Sequence, residues 1–131
     1  MKTTLQKKIS EGVVVFDGAM GTELYRRGYF VNTCYEGLNL SSPDVIKEIH
    51  SAYADAGADV ITTNTFGANA NKLARFGMAD QVAEINRKGV ELVRECADEN
   101  TLVAGSVGPL GEASKKIHDK AVSIITEQIK A

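Results

Sequence analysis

VVVFDGAMGT, residues 13–22, runs four β-prone apolar residues straight into Asp17, Gly18, Ala19, Met20, Gly21 and Thr22. A short continuous apolar run bounded by turn residues predicts a strand covered on both faces, as in a parallel sheet flanked by helices. Ligands of such folds gather at the carboxyl ends of the strands, which is where Asp17 stands. Gly18 and Gly21 permit a sharp turn and bring backbone N–H groups close to a bound anion. Taken alone, a strand followed by Asp-Gly reads equally well as a capped turn.

The pattern recurs twice. ADVITTNTFG, residues 58–67, is a second β-branched run, with Asn64 and Thr65 at its functional end, and LVAGSVGP, residues 102–109, is a third. Helical patterns alternate with these runs. Ser42-Pro43-Asp44 combines an N-cap Ser, a Pro at the first helical position and an acid in the first turn, predicting a helix that runs to about residue 56 and stops at Gly57. Val45, Ile46, Ile49 and Tyr53 share one face of it, and His50 at the border of that face is expected to be packed and hydrogen-bonded rather than a ligand. A second helix is expected over residues 80–99, with Val82, Ile85, Gly89, Leu92, Val93 and Cys96 along its stripe, which makes Cys96 an inert core thiol. Ile117, Ala121, Ile124 and Ile125 mark a third helix to about residue 130, with His118 in its first turn as a surface or boundary residue. Residues 2–12 read as a polar lead-in with at most one helical turn. Residues 18–42 form a long connection broken by a short helix near residues 22–27, and connections of that length are usually functional. Strand starts at Val13, Asp59 and Leu102 fall 46 and 43 residues apart. This order predicts parallel βα units with right-handed crossovers, in which Gly89 alone among the 12 glycines lies inside a regular element.

Composition narrows the function. The chain has 131 residues, 44% of them hydrophobic, enough for one core or part of one. Its 15 Lys and Arg against 17 Asp and Glu leave a net charge of -2 with no block of one sign, so no nucleic-acid partner is expected and small-molecule chemistry is. No apolar run predicts a secretory signal or a membrane span. Cys34 and Cys96 lie far apart without a CxxC or a Cys/His pair, which signals neither a disulfide framework nor a metal cage and suits a reducing, cytoplasmic setting.

With DGAMGTEL, IKEIHSAYADAGADVITTNTFGAN and AGSVGPLGE in this order, the chain resembles the homocysteine S-methyltransferase family over about residues 13–112. The likeness is greatest to the homocysteine-binding domains of cobalamin-dependent methionine synthases and of homocysteine methyltransferase–methylenetetrahydrofolate reductase fusions. The resemblance implies a (β/α)8 TIM barrel that binds homocysteine at its strand ends and holds the thiol on zinc, which makes it a thiolate able to accept a methyl group. It implies that Asp17 holds the substrate amino group and that the backbone at Gly18 and Ala19 receives the substrate carboxylate, with Thr22, Asn64 and Thr65 completing the substrate-binding set. The family's zinc ligands are three cysteines in GxNC and GGCC-type motifs, neither of which occurs here, so no metal role passes to Cys34 or Cys96. A full barrel needs about 250 residues. The 131 residues are therefore expected to be the N-terminal three βα units of a TIM barrel, a partial barrel that is inactive in isolation. The missing remainder of the barrel is then a partner, homo-oligomerisation through open sheet edges is expected, and cobalamin or folate belongs to the full-length protein.

Two other readings compete. A strand-end Asp with a Thr five residues on is shared with dehalogenase-like phosphatases, but their general acid stands two positions after the nucleophile, where this chain has Ala19. A non-catalytic, self-associating α/β fragment is the other, and metal content separates it from an active transferase.

Overall fold

The computed structural model describes residues 4–111 and 118–131. Two strands, β1 (Val60–Thr62) and β2 (Leu102–Ala104), pair in parallel with Val60 opposite Leu102 and Thr62 opposite Ala104. Residues 13–17 lie along the other edge of β1. There a single parallel bridge joins Phe16 to Val60, the Asp17 N–H donates to the Val60 carbonyl at 2.9 Å, and the Val15 carbonyl accepts from Asp59 and Val60 at 2.8 and 3.2 Å. Three parallel segments thus lie side by side in chain order, with β1 at the centre and its Val60 and Ile61 buried.

The expectation of a strand covered on both faces fails for the first segment, where Val13 is 90% exposed and Val15 and Phe16 are half exposed. Among the described residues its ladder partner is β1, and even there the Val15 N–H is taken by the Asp59 side chain at 2.9 Å rather than by a strand carbonyl. A run with a partner along one edge and no layer over its outer face gains little from its apolar residues.

The helices follow the sequence more closely. α1 (Leu5–Glu11) is longer than the single turn expected, because the Thr4 hydroxyl caps it by accepting from the Lys7 N–H, and Lys8 fastens it to Asp59 at 2.9 Å. α2 (Gly21–Arg26) is the short helix of the long connection, and it places Gly21 as well as Gly89 inside a regular element. α3 (Leu38–Ser41) was not foreseen; it leads directly into α4 (Pro43–Asp55). Ser42 occupies the N-cap position but makes no side-chain cap, since the α3–α4 junction holds it at φ -145°, ψ 56° with its N–H donating to Leu38. α5 (Ala70–Leu73) is capped by Asn69, whose Oδ1 accepts from the Lys72 N–H at 2.9 Å. α6 (Val82–Cys96) is shorter than residues 80–99, entering through a 3₁₀ turn at Ala79–Gln81 and ending where Ala97 becomes extended. α7 (His118–Lys130) follows; residue 117 and the His118 side chain lie outside the described residues.

α4 and α6 pack against each other and against β1 and β2. Leu24, Ile46, Ile49 and Leu92 form the core between them, and Ala68, Leu73, Val82 and Ile85 form a second cluster under α5. Each buried Leu or Ile contributes about 1.5–3 kcal/mol. His50 is fully buried, as a packed histidine should be, yet neither ring nitrogen has a hydrogen-bond partner. Burial alone lowers its pKa to about 4, so the ring is neutral. Cys96 is half-buried rather than a core thiol, and its Sγ lies 3.5 Å from the Lys47 carbonyl it donates to, linking α6 to α4.

Candidate functional site

The carboxyl ends of the three segments converge on a cavity of about 320 Å³. Asp17 and Gly18 reach it from the first segment, residues 62–66 from the end of β1 and the loop after it, Ser106 from the loop after β2, and Tyr35 and Glu36 from the long connection. Among the described residues its charged lining is Asp17 and Glu36, with no Lys, Arg or His beside them. Such a site favours a cationic group such as an ammonium.

Asp17 does not cap its own turn. Its carboxylate reaches across to β1, where Oδ2 accepts the Thr62 N–H at 3.0 Å and Oδ1 accepts the Thr62 hydroxyl at 2.9 Å. An ionised carboxylate has about four acceptor positions, so these bonds fix its plane and leave capacity toward the cavity. The turn after it is pressed onto α4, where the Tyr53 hydroxyl donates to the Ala19 carbonyl at 2.8 Å, and a Cβ on Gly18 would meet the Tyr53 hydroxyl oxygen at 2.8 Å. Gly is needed at position 18 for this approach. Ala19 and Thr22 are exposed and stand off the cavity wall, Thr22 in the first turn of α2.

Asn64 and Thr65 are buried on the wall, and the Asn64 NH2 and the Thr65 hydroxyl are bonded within the protein. The Asn64 amide donates to the Tyr35 carbonyl at 2.8 Å and to Asn39 Oδ1 at 3.0 Å, while the Asn39 amide returns a bond to the Asn64 carbonyl at 2.9 Å. The Thr65 hydroxyl donates to the Ser106 carbonyl at 2.8 Å, the Ser106 N–H donates to Thr63 Oγ1 at 3.0 Å, and the two Thr hydroxyls lie 2.6 Å apart. With the Thr65 proton already given to Ser106, Thr63 is the donor between the hydroxyls, and the three bonds close a ring that ties the end of β1 to the loop after β2. α6 comes close enough to this ring that a Cβ on Gly89 would meet Thr65 Cγ2 at 2.6 Å.

Sequence reading did not single out Thr62, Tyr35, Glu36 or Ser106. Thr62 adjoins residues that it did single out, and the length of the 18–42 connection was a signal for Tyr35 and Glu36. Ser106 is marked only by its place in the turn after the third apolar run.

Metal fit is poor. Among the described residues no three of His, Cys, Asp and Glu converge. Cys34 stands near Glu36 with Sγ 4.0 Å from Oε2, and burial pushes its thiol pKa up, away from the thiolate that zinc requires.

Parallel βα units with a polar, acid-bearing cavity across the carboxyl ends of their strands define a small-molecule site of the kind found in βα-barrel enzymes. The particular family follows from comparison. The family model described as homocysteine S-methyltransferase matches residues 14–131, and the chain belongs to that family. It is 39% identical to the methionine synthase of Mycobacterium tuberculosis and 38% identical to that of Mycobacterium leprae, in each case over 82% of this chain and 10% of the relative. Among solved structures, it is similar to the metallated form of the homocysteine methyltransferase MmuM from Escherichia coli, with a TM-score of 0.77 and 28% identity over 96% of this chain and 52% of that one. The oxidised form of that enzyme aligns with a TM-score of 0.70 at 27% identity, over 90% of this chain and 49% of that one. The chain thus spans about a tenth of the curated relatives and about half of the solved one.

Proposed function

We propose that this chain is the homocysteine-binding, N-terminal part of a zinc-dependent S-methyltransferase that converts homocysteine to methionine. The observation that carries the reading is Asp17, held at a strand end by two bonds from Thr62 on a cavity that has no basic lining residue among the described residues. Its carboxylate receives the substrate ammonium, and the turn at Gly18 and Ala19 offers backbone N–H groups to the substrate carboxylate. Thr22, exposed in the first turn of α2, belongs to the same proposed substrate-binding set. Asn64 and Thr65 shape the wall, with the Asn64 NH2 and the Thr65 hydroxyl already bonded within the protein.

Among the described residues no donor set fits zinc. Thiol activation belongs to residues of a complete domain, and the 131 residues alone transfer no methyl group. Cobalamin or folate, and a cytoplasmic location, belong to the same proposal for the whole protein. Metal analysis of the chain purified without chelator tests it, and substoichiometric zinc without methionine formation is expected. One zinc per chain, lost together with activity on chelation, would contradict it.

The exposed Val13, Val15 and Phe16 of the first segment also favour self-association through the sheet. Sedimentation should show dimers or larger species at micromolar concentration, and a monodisperse monomer would count against this part of the reading.

A further inference from the structure

We propose that Glu36 is a positioning residue of the site, acting through the peptide bond between Phe66 and Gly67. This deepens the homocysteine reading by naming a device that sets the shape of the cavity mouth. The Gly67 N–H donates to Glu36 Oε1 at 2.7 Å, and the carbonyl of the same peptide, that of Phe66, accepts the Gly108 N–H at 2.9 Å. A peptide is planar, with its N–H and C=O pointing in opposite directions. One rigid unit therefore bridges the long connection on one side and the loop after β2 on the other. Polarisation of the N–H by a carboxylate also makes the carbonyl opposite a better acceptor.

Both flanking glycines are shaped to this arrangement. Gly67 and Gly108 are buried. A Cβ on Gly67 would meet Glu36 Oε1 at 2.7 Å, and one on Gly108 would meet the Phe66 carbonyl oxygen at 2.6 Å. At each end of the peptide the partner comes nearer than any side chain would allow. Phe66 and Glu36 both line the cavity, and the half-exposed Phe66 ring stands at its mouth with Lys72 Nζ 5.1 Å from the ring centroid. Glu36 thus joins three loops into one rim, and the order of that rim governs how well the cavity closes on an amino acid.

Amide hydrogen exchange on the intact chain tests this. In the wild type, the Gly67 and Gly108 amides should be protected although neither lies in a helix or strand. Glu36→Ala should speed exchange at both by roughly tenfold or more, the loss expected when a bond to a charged group goes. Glu36→Gln keeps an acceptor oxygen in place and should retain most of the protection. If both amides exchange freely in the wild type, or if Gly108 is unaffected by Glu36→Ala, the proposal is overturned. Homocysteine affinity by calorimetry gives the functional readout, with roughly tenfold weakening in Glu36→Ala and recovery in Glu36→Gln. A Gln variant as weak as the Ala variant would mean that Glu36 meets the ligand through its charge and would overturn the positioning role. Absence of homocysteine binding in the wild type would count against the proposed function instead, with the exchange data still deciding the role of Glu36.

Discussion

Gly89→Ala puts the packing of the site to a direct test, because helix propensity and local space predict opposite outcomes. In the interior of α6, Ala is favoured over Gly by about 1 kcal/mol. The added Cβ, however, would lie 2.6 Å from Thr65 Cγ2 and 3.0 Å from Asn39 Nδ2. Both contacts are too short, and neither neighbour is free to move. Asn39 is fully buried and bonded to the Asn64 and Ile85 carbonyls, while Thr65 belongs to the hydroxyl ring with Thr63 and Ser106. Overpacking costs about 1–3 kcal/mol, and breaking bonds to buried amides adds about 1–3 kcal/mol. A net loss of about 1–5 kcal/mol is expected, which for a chain of this length lowers the melting temperature by at least roughly 3 °C. Thr65→Ser removes the methyl group that the new Cβ would strike, so the double variant should recover part of the loss. Urea and thermal melts of the wild type, the two single variants and the double variant provide the measurement. A Gly89→Ala protein as stable as the wild type or more so would refute the close approach of α6 to the cavity wall.

Two further predictions concern pH and the base of the sheet. His50 keeps a pKa of about 4 in the folded chain, against about 6.5 unfolded, so the unfolded chain gains a proton that the folded one refuses. Stability is therefore full above about pH 6.5 and falls by up to about 3 kcal/mol as pH drops toward about 4. His50→Leu should remove this slope from urea midpoints measured at both ends of the window, and an unchanged slope would contradict the assignment. Asp59 has its pKa lowered by the Val15 N–H and by Lys8, so the tie it makes is present at neutral pH and is lost as pH falls through its depressed folded-state value. Asp59→Asn should speed proteolysis within α1 at neutral pH, and an unchanged cleavage rate would show that the lead-in helix is held by something else.

The order of elements was legible because helices carry local signals. Pro43 and Asp44 mark the start of α4, and the apolar stripe from Val82 to Val93 marks α6. The three apolar runs were also found, but an apolar run reports that a segment gains from cover, not that the chain at hand provides it. Val13, Val15 and Phe16 accordingly stay exposed in spite of their apolar run. Capping at Ser42 failed for a related reason: α3, with no periodic pattern of its own, sets the backbone at the junction. The same limit applied to the hydrogen bonding of His50, since helical spacing predicts burial and is silent about partners. In the site, Asp17 stood out through its place after a strand. Glu36 and Ser106 did not, because their roles arise from loops that meet only in three dimensions.

The central claim is that Asp17 holds the ammonium of homocysteine, and one substitution separates that role from a structural one. Asp17→Asn keeps the shape of the side chain and both links to Thr62, its amide oxygen accepting the Thr62 N–H and its NH2 donating to the Thr62 hydroxyl oxygen, while removing the charge. A charge-assisted bond to an ammonium contributes about 1.5–3 kcal/mol, which corresponds to roughly ten- to a hundredfold in affinity. The homocysteine dissociation constant and the melting temperature should be measured on the wild type and on Asp17→Asn. Affinity weakened by that factor with little change in melting temperature is the expected result. Unchanged affinity with a lowered melting temperature would make Asp17 a structural link between the first segment and β1, and would remove it from the site.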